Sequence, residues 1–168
     1  GFNIANIGPK VSYVPGEEDF IPTNLKFGGG FDFILDAYNT LSINTEFTKL
    51  LVPSPQEDGS DQEKGFLSGI FSSFGDAEGG FSEELEEVTY ALGAEYLYND
   101  AFALRLGYFH ESENKGNRKF FTMGAGFKTN ALNVDLSYLI NSSDVNNPLE
   151  NSLRFSLSFD LGELYYDY

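Results

Sequence analysis

An all-β fold, an antiparallel transmembrane β-barrel of about eight strands, is predicted by three features of the chain. Apolar and polar residues alternate with a period of two. The connections between these stretches alternate between tight and long. The polar faces are built mostly from small residues. The alternation is clearest near the C-terminus, where Leu153, Phe155, Leu157, Phe159 and Leu161 are interleaved with Arg154, Ser156, Ser158 and Asp160. Leu132, Val134, Leu136, Tyr138 and Ile140 repeat it against Asn133, Asp135, Ser137 and Leu139, and Phe102–His110 and Val88–Tyr98 follow the same scheme. Successive side chains of a strand point to opposite faces, so each segment has one apolar face and one small or polar face.

Taken in order, the strands are expected over 3–14, 23–35, 40–51, 86–98, 101–111, 118–129, 131–141 and 151–161. Asp36–Asn39, Asn99–Asp100 and Thr129–Asn130 are tight turns made of residues that turns prefer. Pro15–Asn24, Pro53–Glu84, Ser112–Asn117 and Asn141–Asn151 are longer. In an up-and-down arrangement alternate connections leave from the same side. Every tight turn then falls on one side and every long loop on the other, as in barrels with periplasmic turns and extracellular loops. A soluble barrel would crowd its outer face with Lys, Glu and Thr. Here the polar face is Gly, Ser, Ala and Asn with sparse charges of both signs, as a lumen requires. Glu95 and Arg105 face inward on neighbouring strands and are expected to pair.

Composition agrees with this expectation. The chain has 168 residues, enough for one domain or part of a larger one, and carries 17 Phe and 10 Tyr. Mean hydropathy is −0.26, because lumen-facing residues dilute every strand of a barrel. No apolar run is long enough for a transmembrane helix. Cysteine is absent, which removes disulfides, thiolate metal sites and cysteine nucleophiles. A net charge of −16 argues against nucleic acid as a partner. The chain opens on Gly1 with no charged-apolar-small leader, which reads as a mature form or, preferably, an internal fragment.

Residues 53–84 form the odd segment, a long extracellular loop within a single barrel domain spanning 1–168. It begins with the acidic run 57–63, read as solvated because it lacks the spacing of an EF-hand loop. Phe66, Leu67, Ile70, Phe71 and Phe74 follow at the spacing of one face of a short helix, and Phe81 lies just beyond. An apolar cluster on a loop must fold into the barrel mouth, touch lipid or meet another protein. These six residues are the candidate partner-binding anchors; no residue is assigned as catalytic, and no motif requires a metal or cofactor.

A set of motifs stands in order along the chain: Asn6–Tyr13, Lys49–Pro53, Gly79–Leu85, Gly93–Tyr96, Phe102–Arg105, Gly107–Ser112, Lys115–Lys119, Asn147–Asn151 and Leu153–Phe159. Together they resemble the C-terminal half of the PorV family, the outer-membrane barrels of type IX protein secretion. The resemblance implies a FadL-like barrel of about fourteen strands, of which this chain carries the C-terminal part. It also implies binding to an SprA-like translocon barrel, receipt of secreted proteins through their C-terminal signal domains, and transfer to a PorU-like sortase complex. Such proteins are carriers in the outer membrane of Gram-negative bacteria, surrounded by its lipid, and are not enzymes. The Tyr-rich tail Gly162–Tyr168 has no assigned role.

Two other readings come from the residues. His110 and Ser112 are two apart at a strand end, beside Glu111 and Glu113, and resemble the His-x-Ser pattern of PagL-type lipid A deacylases. A FadL-like fold also allows transport of hydrophobic solutes, although the expected lumen faces carry small and charged residues, with Ile34 and Leu139 as exceptions.

Overall fold

The computed structural model describes residues 1–14, 17–56 and 58–160. Eight strands form one antiparallel sheet in the order β1-β4-β5-β6-β7-β8-β9-β10. They are β1 (Phe2–Ala5), β4 (Asn24–Ile34), β5 (Asn39–Leu50), β6 (Val88–Tyr98), β7 (Phe102–His110), β8 (Lys119–Lys128), β9 (Leu132–Asn141) and β10 (Leu153–Phe159). From β4 onward each strand lies beside the next in sequence. A second, two-stranded sheet pairs β2 (Val11–Val14) with β3 (Glu17–Asp19). The first expected strand, 3–14, is therefore two strands in two sheets. Asn6 takes a left-handed φ of 56°, which ends the extended run, and Pro9 follows without an N–H for a ladder. The C-terminal tail lies outside the described residues.

The tight turns follow from their residues. Asn99 and Asp100 both have positive φ, 52° and 53°, as a two-residue hairpin turn matched to strand twist needs. At the β4–β5 turn, Asp36 Oδ1 accepts from the backbone N–H groups of Tyr38 (2.8 Å) and Asn39 (2.9 Å). Thr129 and Leu132 close the β8–β9 turn, with Leu132 N–H donating to Thr129 Oγ1 at 3.1 Å.

The chain clusters into two compact units. One comprises Gly29–Thr45, Ala91–His110 and Asn117 onward; the other comprises Gly1–Gly28, Glu46–Tyr90 and Glu111–Gly116. In the first unit the register of β7 to β10 sorts the side chains by face. Phe102, Leu104, Leu106 and Tyr108 stand opposite Phe127, Ala125, Met123 and Phe121. Those in turn meet Val134, Leu136, Tyr138 and Ile140 on β9, and β10 adds Leu153, Phe155, Leu157 and Phe159. One face of this four-stranded run is thus continuously apolar. The other is small or charged over most of its length: Arg105 faces Gly124, Ala103 faces Gly126, and Gly126 faces Asp135.

The apolar face is exposed. Phe102, Leu104, Leu106, Phe121, Met123, Phe127, Leu136, Leu153, Phe155 and Phe159 all have large accessible surfaces. Among the described residues the buried hydrophobics are Leu51, Ala77 and Ala103, too few and too small to form an apolar core for these side chains to join. A water-soluble domain of this length buries most of its large apolar side chains. This chain inverts that arrangement.

The expected Glu95–Arg105 pair is present on the small face, with Arg105 Nε donating to Glu95 Oε2 at 2.5 Å; Arg105 Nη1 also reaches Asp135 Oδ1 at 2.5 Å. The guanidinium crosses β8 at Gly126, where a Cβ would lie 2.6 Å from Asp135 Oδ1 and 3.0 Å from Arg105 Nη1. A side chain at that position would push the two charged ends aside.

Candidate functional site: the helical loop module

The long connection between β5 and β6 folds into three short helices, α1 (Ser60–Glu63), α2 (Phe66–Ser72) and α3 (Phe81–Glu86). The spacing of apolar residues thus marks α2 correctly, although Phe74 falls beyond its end. Burial on α2 is reversed relative to an ordinary amphipathic helix. Its buried positions are small, Gly69 and the capping Ser73 four residues on. Gly69 packs so closely that a Cβ there would stand 2.8 Å from the Phe20 ring and 3.1 Å from Pro53. The large side chains point away: Leu67, Phe71 and Phe74 are 65%, 77% and 54% exposed, and Phe81 at the start of α3 is 78% exposed. Phe66 and Ile70 are half-buried. Of the six candidate anchors, four are therefore exposed and two are half-buried.

Polar bonds hold the module. Lys49 Nζ donates to Glu84 Oε2 and Glu87 Oε2, each at 2.8 Å. Glu84 Oε1 accepts from the Ala77 N–H at 2.9 Å, and Ser54 Oγ donates to Glu87 Oε1 at 2.6 Å. From the segment between β7 and β8, Lys115 reaches Glu83 (2.5 Å) and Glu87 (3.1 Å), and Asn114 Nδ2 donates to Glu86 at 2.8 Å. Lys64 and Ser72 close on Asp76 at 3.1 and 3.0 Å. Lys10 donates to the Gln62 carbonyl and lies over the Phe20 ring, 4.3 Å from its centroid. The two acidic stretches are consequently not simply solvated. Asp61 is buried and accepts from the Gln56 N–H at 3.1 Å, while Glu57 lies outside the described residues.

This network was the main feature hidden from sequence reasoning. Its one available signal is Lys49, which takes an apolar-parity position in β5 after Leu41, Ile43 and Phe47. A lysine there needs carboxylates, and Glu84 and Glu87 supply them. A second feature not anticipated lies on the small face: Phe109 and Phe120 stack at 4.9 Å and 14°, with the Arg118 guanidinium 5.9 Å from the Phe109 ring.

Two carboxylates of the module are held below their usual range by their partners. Burial pushes the Glu87 carboxyl up, but hydrogen bonds from Lys49, Ser54 and Lys115 outweigh burial and hold it below the usual glutamate range. Asp76 is likewise lowered: Lys64, the Ser54 N–H and Ser72 outweigh its desolvation. A depressed carboxyl contributes stability that is complete above the unfolded value of about 4 and is lost as pH falls through the folded value. Residues 53–87 are expected to exchange backbone hydrogens faster below about pH 4, after correction for intrinsic exchange, while strands β7–β9 keep their protection. Equal loosening of both would mean that these carboxylates do not limit the module.

His110 shares a 3.2 Å hydrogen bond between its Nδ1 and Tyr108 Oη, with the direction set by the imidazole tautomer. Ser112 precedes the 3-10 turn Glu113–Lys115, whose Asn114 and Lys115 are the module's ties. Among the described residues no group of three or more His, Asp or Glu side chains is arranged to hold a metal ion. No described helix is long and apolar enough to cross a membrane.

The chain is thus an antiparallel all-β protein with an exposed apolar sheet face and a helical loop module that leaves large apolar side chains exposed. A family model described as "Type IX secretion system protein PorV" matches residues 1–57. The family whose model matches is the one that the ordered motifs resemble, and two of those motifs, Asn6–Tyr13 and Lys49–Pro53, lie within the matched residues. The comparison with curated proteins gives no match.

Proposed function

We propose that this chain is the C-terminal part of an outer-membrane β-barrel of the type IX secretion system. In this reading the sheet closes, with further strands, into a barrel whose apolar face meets lipid. The barrel binds an SprA-like translocon, accepts secreted proteins through their C-terminal signal domains and hands them to a PorU-like attachment complex. The family match supports the secretion system, and the exposed apolar face supports the membrane. In lipid only helices and closed barrels satisfy every backbone group, so an open eight-stranded sheet needs its edges paired.

The observation that carries the docking role is the reversed burial of the loop module. Leu67, Phe71, Phe74 and Phe81 are held outward by a polar scaffold that spends none of them on packing. Phe66 and Ile70 complete the proposed contact surface from its base. Binding energy at protein interfaces concentrates in a few such aromatic anchors. Phe71→Asp is therefore expected to leave assembly in the membrane intact and to reduce surface display of cargo by about tenfold or more. Photocrosslinking from a probe at Phe71 should yield adducts to a very large barrel or to proteins bearing C-terminal signal domains. Normal display by the variant, with adducts only to lipid or to the chain's own barrel, would make the loop a plug.

A further inference from the structure

The outward apolar side chains of the module are set in a strongly acidic stretch. Residues 58–87 contain nine carboxylates, and Lys64 is their single cation. Lys64 is committed to Asp76; of the lysines that reach in from outside, Lys49 and Lys115 are committed to Glu83, Glu84 and Glu87, and Lys10 lies on the Gln62 carbonyl and the Phe20 ring, so carboxylates still outnumber the cations. Glu63, three positions before α2, and Glu78, four after Phe74, are exposed and stand outside these ion pairs. The apolar anchors are thus flanked on both sides by negative charge that the module leaves unneutralised.

We infer that the partner segment received by Leu67, Phe71, Phe74 and Phe81 is a polypeptide with an apolar strip flanked by lysine or arginine. The inference rests on the docking reading proposed above and adds the chemistry of what docks. Apolar contact supplies affinity that is insensitive to salt. The carboxylates add attraction to cations and, more decisively, penalise an acidic partner, because like charges brought together at an interface are costly. The same charge disfavours an anionic lipid surface as the occupant. Scattered acids around a purely solvated loop would give no such selectivity, since nothing apolar would hold the partner within a Debye length of about 10 Å.

The test uses the protein reconstituted in phosphatidylcholine nanodiscs and three dye-labelled peptides read by fluorescence anisotropy. One has an apolar core between lysines, one the same core between glutamates, and one a serine core between lysines. The lysine-flanked apolar peptide is expected to bind about tenfold tighter than the glutamate-flanked one at low salt, with the gap closing as salt rises. Glu63→Gln/Glu78→Gln should narrow the gap, and Phe71→Ser should weaken both apolar peptides alike. Equal binding of the two apolar peptides would overturn the inference, as would equal binding of the serine-core peptide or binding to empty nanodiscs. Equal binding of the two apolar peptides, alongside loss of cargo display in Phe71→Asp, would remove the charge rule and leave the docking role standing. Normal display in Phe71→Asp would remove the docking role itself.

Discussion

Leu106→Arg is expected to destabilise the protein in a bilayer by about 2–4 kcal/mol, the cost of an arginine facing lipid near the midplane of a barrel strand. Leu106 sits at the centre of β7, is 65% exposed, and stands opposite Met123 in the continuous apolar face. In water an exposed Leu-to-Arg change on a sheet is close to neutral. A large effect therefore reports the solvent that this face meets. Ser156→Arg is the matched control: Ser156 lies on the small face of β10 opposite Asp135, where a cation finds a carboxylate. Its expected cost is below about 1 kcal/mol. Urea unfolding in phospholipid vesicles, followed by heat-modifiable gel mobility, separates the two. Equal tolerance of both changes would sink the membrane assignment of the apolar face.

The same two-residue period explains why so much of this fold is legible. Strand register in β7–β10 is dictated by a continuous apolar face, and a slip of one residue would reverse every side chain at once. The ends of those strands are accordingly recovered to within about two residues, within the scatter of any boundary definition. Around the N-terminus the rule fails for a local reason. Residues 3–14 alternate weakly, and the left-handed Asn6 ends the first strand before the chain enters a separate two-stranded sheet. The apolar members of the loop module are equally visible, since α2 carries a helical spacing. Their direction is not. Periodicity says which side chains share a face of a helix, never which face is buried. Here Gly69 decides it by close packing on Phe20, a contact between segments far apart in sequence. The polar scaffold stays hidden for the same reason. Lys49, Ser54, Glu84, Glu87 and Lys115 are spread over five places in the chain, and each alone reads as ordinary surface charge.

That scaffold carries the second large expectation: Lys49→Met should destabilise the loop module by about 3 kcal/mol or more. The lysine is 11% exposed and holds two carboxylates, Glu84 and Glu87, that are themselves 9% and 13% exposed. Removing the cation leaves two buried negative charges facing each other, and that penalty exceeds anything the methionine gains by packing. Glu87 keeps Ser54 and Lys115, whereas Glu84 keeps only the Ala77 N–H among its described partners. Lys49→Met/Glu84→Gln should therefore recover much of the loss, because a glutamine oxygen still accepts from Ala77 and carries no charge. Hydrogen exchange should show the loss confined to residues 53–87, and cargo display should fall with it, because Phe71 and Phe81 are presented only while α2 and α3 are held. If the single variant costs less than about 0.5 kcal/mol, the value of an ordinary exposed ion pair, then water screens these charges and the module is not a rigid platform. If exchange rises but display does not, the module's rigidity is separable from docking, and the anchors work from a loose loop.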